Sequence, residues 1–127
     1  YHLDLHTMPS QGEAAHPDSG RLRSQVVLSD CMGKSASRGY FNLVRNALLA
    51  EGFELAINDP YKGGRITQRY GRPEAGIETL QIELNRALYL DEKTRERTTE
   101  FESLQGKLAR SIAVITQAID QDQLSEV

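Results

Sequence analysis

The sequence predicts an α/β domain in which a mixed, partly parallel sheet is flanked by helices. Three observations carry this. Apolar and polar residues alternate with period 2 in residues 1–6, 53–57 and 78–84, as along a half-buried strand. Apolar residues recur at three- and four-residue intervals over 37–51 and again from Thr99 onward, as on one face of a helix. The two kinds of segment follow one another along the chain, an order that builds layered sandwiches of sheet and helix. The 127 residues make one domain at most, and Leu, Ile, Val and Phe supply 30 of them, enough to bury a core.

In the opening strand Tyr1, Leu3 and Leu5 share one face and His2, Asp4 and His6 the other, until Met8-Pro9-Ser10 ends it. Residues 10–24 carry no period and read as a long loop. Val26-Val27-Leu28 suits a short buried strand, closed by Ser29-Asp30. A turn over 33–37 feeds the helix at 37–51, where Tyr40, Phe41, Val44, Ala47 and Leu48 share a face and Gly52 marks the end. Phe53, Leu55 and Ile57 line one side of the next strand. Pro60 and the pair Gly63-Gly64 make 58–64 a loop, and 70–76 reads as another. In the strand at 78–84, Leu80, Ile82 and Leu84 face one way and Gln81, Glu83 and Asn85 the other. Thr99 and Glu102 have capping-box spacing and open a last helix, with Phe101, Leu104, Leu108, Ile112, Ile115 and Ile119 as its apolar stripe. Residues 1–120 are then the folded portion and 121–127 a polar tail. A chain that opens inside a strand, without Met, is expected to belong to a larger domain.

Composition excludes several classes of function. A net charge of −3 and a pI near 5.6 argue against a nucleic-acid surface, which needs clustered excess Lys and Arg. No apolar run approaches the roughly 20 residues of a membrane span, and no signal-like stretch opens the chain. Cys31 alone rules out an internal disulfide framework and a Cys-rich zinc module; it fits a reducing compartment, so a cytoplasmic location is expected.

Three features have the residue types for chemistry. Asp4-x-His6 places a carboxylate and an imidazole on one strand face, where the carboxylate can fix the ring of a metal-ligating His; a solvated strand face carries the same pair. Glu83, between Ile82 and Leu84, either points to solvent or lines a cavity, where desolvation would suit it to general base and acid work. The loop Asn58-Asp59-Pro60-Tyr61-Lys62-Gly63-Gly64-Arg65 either lets backbone approach an anionic ligand closely or is plain turn chemistry; it is no P-loop. Asp30 ends a strand and either binds or caps. Cys31 is read as a packed thiol, and His2 and His16 as structural or surface residues.

Four ordered blocks carry a resemblance. They are Asp4-Leu5-His6-Thr7-Met8-Pro9-Ser10, Val27-Leu28-Ser29-Asp30-Cys31-Met32-Gly33 with Ser29 where Gly is usual, the stretch from Asn58 to Pro73, and the stretch from Leu80 to Tyr89. Over about residues 4–90 the chain resembles the N-formylglutamate amidohydrolase (deformylase) family, specifically its C-terminal half. The resemblance implies a three-layer sandwich similar to the zinc carboxypeptidases and a metal-dependent amidase, converting N-formyl-L-glutamate and water to formate and L-glutamate in histidine degradation.

By the same resemblance His6 is a ligand of zinc or a similar divalent metal, with Asp4 supporting it from behind. Glu83 matches the carboxylate that takes a proton from the attacking water and returns it to the departing amine. A small N-acyl amino acid with two carboxylates needs cations, and Arg65, Arg72 and Arg86 lie inside matched blocks, with Asn58 and Tyr61 as polar wall residues. The family's other two ligands, a His and an acidic residue, lie N-terminal to the D-x-H block. Residues 1–120 are thus expected to be the C-terminal portion of a catalytic domain that needs an absent N-terminal half, and inactive alone. The alternatives are a related amidase or peptidase acting on another N-acyl amino acid, and a non-catalytic fragment.

Overall fold

A computed structural model describes residues 1–124. Its elements are β1 (His2–Met8), β2 (Val26–Ser29), α1 (Arg38–Ala50), β3 (Leu55–Ile57), α2 (Arg65–Tyr70), β4 (Thr79–Asn85) and α3 (Phe101–Asp120). The strands form one sheet in the order β1-β4-β2-β3. β1 runs parallel to β4 and β2 parallel to β3, while β2 and β4 are antiparallel, so the sheet is mixed, as expected.

The pleat divides the sheet into two unlike faces. Leu80, Ile82 and Leu84 of β4 line up with Val26 and Leu28 of β2 and with Leu3 of β1. α1 and α3 cover this face, and Tyr40, Val44, Ala47, Leu48, Leu104 and Ile115 complete the core. Each large apolar side chain buried there contributes about 1.5–3 kcal/mol. The opposite face carries Asp4 and His6 of β1, Gln81, Glu83 and Asn85 of β4, and Val27 and Ser29 of β2. The 10–24 and 58–64 loops and α2 lie over it: Gly64 meets Gln81, and Thr79 Oγ1 donates to the carbonyl of Thr67 in α2. β1 and β3 are the edge strands of the described sheet, and Leu5 of β1, on the apolar face, remains 53% exposed.

Helix α1 starts where Ser37 Oγ accepts from Tyr40 N, and ends before Gly52, whose φ of +83° suits the residue following a helix. The short helix α2 fills the stretch left unassigned between the two expected loops and takes in Tyr70, the first residue of the second, because its six residues make too few turns to show a period. The capping box expected at Thr99 and Glu102 does not form. The residue before α3 is Glu100, already helical at φ −81° and ψ −7°, whereas a side-chain cap requires extended backbone. Ile112 does not join the inward stripe of α3 either; it is 43% exposed, and Ser111 points inward, donating to the carbonyl of Ala47. At 3.6 residues per turn the line through Leu104, Leu108 and Ile115 passes nearer position 111 than 112. Of the expected tail, residues 125–127 lie outside the described residues.

Candidate active site

Parallel pairing of β1 with β4 sets Asp4 beside Gln81 and His6 beside Glu83. Across this ladder His6 Nδ1 lies 3.7 Å from Glu83 Oε1, and His6 Nε2 lies 3.0 Å from Asp4 Oδ2. Glu83 is buried, and Gln81 Nε2 donates to its Oε1 at 3.1 Å. Burial raises the Glu83 pKa above the ordinary carboxylate value, while the charges of His6, Arg23 and Arg86 oppose the rise. A half-exposed imidazole therefore faces a buried carboxylate that holds its proton more readily than a solvated one. Gln81 Oε1 is buried without a hydrogen-bond partner, and Asp4 Oδ2 has none beyond its pairing with His6 Nε2. Buried polar atoms are normally satisfied, so Gln81 Oε1 stands out on this face.

The loops over this face are fastened by polar side chains. Asn58, at φ +52°, donates through Nδ2 to Asp30 Oδ1 and accepts through Oδ1 from Asp30 N. Asp30 also caps Gly33 N. Ser29 Oγ donates to the carbonyl of Tyr61 at 2.6 Å, so the hydroxyl standing in place of Gly ties β2 to this loop. Gly63, at φ +120°, leaves no room for a side chain, since a Cβ would fall 2.6 Å from Cys31 Sγ; at Gly64 it would fall 2.7 Å from Gln81 Oε1. The paired glycines thus bring backbone against the site.

Sequence reasoning missed Arg23 and Asp18. Arg23 is buried and makes a bidentate pair with Asp18, through Nε and Nη2 at 2.9 Å each. Its Nη1 donates to Tyr61 Oη at 2.8 Å, and its guanidinium lies over the Tyr61 ring. The pair lowers the Asp18 pKa. Nothing in the patternless 10–24 segment signals these residues. Arg21 pairs with Asp59, tying the same two loops together nearer solvent.

The structure therefore brings Asp4, His6 and Glu83 together. Tyr61 reaches their side of the sheet through Arg23, and Arg65 opens α2 directly after Gly64. Arg72 and Arg86 flank β4 at opposite ends, Arg72 exposed in the turn that enters the strand and Arg86 half-buried directly beyond it. His16 accepts from Glu13 N within its own loop. Among the described residues no three His, Cys, Asp or Glu side chains group so as to hold a metal ion, and no helix is long and apolar enough to cross a membrane.

An α/β sheet carrying a desolvated carboxylate against an imidazole is an arrangement of the kind found in enzyme sites. Comparison with known proteins makes this specific. The profile of the N-formylglutamate amidohydrolase family matches residues 1–90, and the chain belongs to that family. The crystal structure of N-formylglutamate amidohydrolase from Ralstonia eutropha JMP134 superposes with a TM-score of 0.79 at 33% identity, over 95% of this chain and 44% of that one. The N-formylglutamate deformylase of Pseudomonas aeruginosa is 43% identical over 44 residues, 35% of this chain and 16% of the relative. The chain thus spans less than half the length of these relatives.

Proposed function

We propose that the chain forms part of a metal-assisted N-formyl-L-glutamate deformylase, with Glu83 as general base and then acid. The juxtaposition of His6 and Glu83 across the β1–β4 ladder supports this most directly, in a chain whose solved relative is an N-formylglutamate amidohydrolase. The donors present suit one corner of a zinc site. With Asp4 Oδ2 against Nε2, His6 keeps Nδ1 as its ligating nitrogen, and that Asp4 oxygen is the acceptor that would fix the ring. The remaining donors come, on this reading, from outside these 127 residues. When bound, zinc or a similar ion lowers the pKa of water and polarises the formyl carbonyl.

The chain's own residues supply the proton traffic. Glu83 takes a proton as water oxygen adds to the formyl carbon, and returns it to nitrogen as the C–N bond breaks, leaving formate and glutamate. Gln81 holds the carboxylate in place through Nε2. Of the cations proposed for the substrate carboxylates, Arg65, Arg72 and Arg86, it is Arg86 whose charge reaches Glu83. Tyr61 accepts from Arg23, which leaves its own O–H to donate to substrate, while Asn58 shapes the site by fastening its loop. The proposed setting is the cytoplasm and the proposed role histidine degradation.

The test uses the whole natural product of the gene that encodes this chain. Glu83→Gln is expected to keep metal stoichiometry and lose about 10²–10⁴-fold in formate release; His6→Ala is expected to lose the metal. Undiminished turnover in Glu83→Gln sinks the assignment of the base. The lack of a three-donor cluster among the described residues favours a second reading, a non-catalytic fragment that keeps the fold. Metal analysis of the same protein separates the two. A third reading, a related amidase or peptidase for another N-acyl amino acid, predicts no preference for N-formylglutamate over N-formylaspartate or N-acetylglutamate.

A further inference from the structure

Two ion pairs hold the 10–24 loop, and they differ in kind. Arg21 and Asp59 meet near solvent, with side chains 49% and 61% exposed, as in an ordinary surface staple. Arg23 and Asp18 are 1% and 7% exposed. Taking both charges out of water offsets much of what their attraction gains, so a buried pair is a poor fastener and calls for a further reason. Arg23 directs its donors to three partners: Nε and Nη2 to Asp18, and Nη1 to the Tyr61 hydroxyl at 2.8 Å and to the Pro9 carbonyl at 3.4 Å.

These contacts stretch Tyr61 along the polar face of the sheet. Its carbonyl accepts from Ser29 Oγ, and Ser29 lies opposite Gln81 in the β2–β4 ladder. Its hydroxyl lies at the other end, by Arg23, whose carbonyl accepts from Asn85 Nδ2 and whose Nη1 reaches the residue after Met8, the partner of Asn85. Glu83 stands between Gln81 and Asn85 on that face, and the charge of Arg23 is felt there. The phenol proton is the informative part. A guanidinium only donates, so the Tyr61 oxygen accepts from Arg23 and its own O–H must seek another acceptor; among the described residues it has none. A hydrogen bond from a buried cation also polarises the phenol and makes that O–H a stronger donor.

We propose that the Asp18–Arg23 pair is a positioning device that turns the Tyr61 O–H toward the reacting group, where it donates to the formyl oxygen as negative charge builds there. Asp18 fixes the guanidinium plane by its two-point contact, Arg23 fixes the phenol oxygen, and of the three only Tyr61 touches substrate. A donor held in place beforehand, and engaged most strongly as charge develops, lowers the barrier rather than tightening ground-state binding. The inference deepens the deformylase reading and rests on it for the identity of the acceptor.

The test is made on the whole natural product of the gene, by kcat and KM for N-formylglutamate and by NMR of tyrosine isotope-labelled at Cζ, which reports the hydrogen bonding of the phenol oxygen. Tyr61→Phe identifies the Tyr61 resonance and is expected to lower kcat about 10-fold with KM little changed. Arg23→Lys keeps a charge beside Asp18 but loses the planar fork, and is expected to shift that resonance and lower kcat by a similar factor. The double variant is expected to be no slower than either single one, because both act through one hydroxyl. Arg21→Lys, which disturbs the solvent-side staple, is expected to leave kcat and the resonance unchanged. Should Arg23→Lys fail to fold, Asp18→Asn crossed with Tyr61→Phe carries the same expectation. Additive losses, an unmoved resonance, a loss confined to KM or to the urea midpoint, or an equal fall of kcat in Arg21→Lys overturns the proposal. Absence of formate release from the unaltered protein defeats the deformylase reading instead, and the Tyr61 resonance then decides alone whether Asp18 and Arg23 hold the phenol.

Discussion

The two faces of β4 are buried alike and built of opposite materials. Leu80, Ile82 and Leu84 point to one side, Thr79, Gln81, Glu83 and Asn85 to the other, and all seven are buried. The apolar side is complete in itself, since helices α1 and α3 close over it and its contacts need no direction. The polar side is closed by hydrogen bonds that must each find a partner, and at Gln81 Oε1 they do not. Burial without satisfaction costs stability. The apolar face thus holds the domain together, while the polar face is buried without every polar atom satisfied.

Substitution on each side of the one strand breaks or sharpens this contrast most strongly. Leu80→Ala removes a fully buried side chain and is expected to destabilise by about 2–5 kcal/mol in urea unfolding. Glu83→Gln, one turn of the pleat away and facing oppositely, removes a buried charge while keeping an acceptor for Gln81, and is expected to shift stability by less than about 1 kcal/mol, in either direction. Equal losses from the two variants would make the polar face as structural as the apolar one.

The titrations of the two kinds of carboxylate oppose each other, which supplies the next test. Asp18 and Asp59 on the polar side and Glu51 beside α3 have pKa values lowered by hydrogen bonds from Arg23, Arg21 and Arg110. Each contributes stability that is present above the ordinary carboxylate range and lost as pH falls through the lowered value. Glu83 has a raised pKa, so its ionisation costs stability above that value and the cost is relieved as pH falls toward 4.5, the ordinary value. Glu83→Gln is therefore expected to steepen the loss of stability between pH 7 and pH 4, and Asp18→Asn to flatten the loss below pH 4. Urea midpoints at pH 7, pH 4 and pH 2 check both, and parallel profiles for Glu83→Gln and the unaltered chain would remove Glu83 from the account.

How far the sequence showed this depends on the range of the interaction. The alternation over 78–84 reports which β4 residues share a face, because that property belongs to neighbours on one strand. The same alternation grouped Asp4 with His6. It could not say that β1 pairs with β4 in parallel, over seventy residues later, and only that register sets His6 against Glu83. The four-block resemblance supplied what local pattern lacked. Arg23 and Asp18 escaped both, because a buried ion pair inside a loop leaves no period, and α2 escaped because six residues leave too little of one. The expected cap at Thr99 failed for a related reason: its spacing was right, but the backbone conformation that makes spacing useful is set by the turn before it.

The smallest effect tests whether helix α3 is divided as the sheet is. Ile112, an apolar residue placed on the inward stripe by spacing, is 43% exposed, while Ser111 is buried and donates to the Ala47 carbonyl of α1 at 3.3 Å. Ile112→Ala is therefore expected to cost less than about 0.5 kcal/mol, as surface changes do. Ser111→Ala removes the side-chain donor to that carbonyl and is expected to cost about 1 kcal/mol, the net worth of an ordinary hydrogen bond. The more polar residue is thus the more structural one at this turn, the reverse of what hydrophobicity alone would rank. A larger loss for Ile112→Ala than for Ser111→Ala in urea unfolding would place the contact seam of α1 and α3 one position further along and restore the stripe that the spacing of apolar residues predicts.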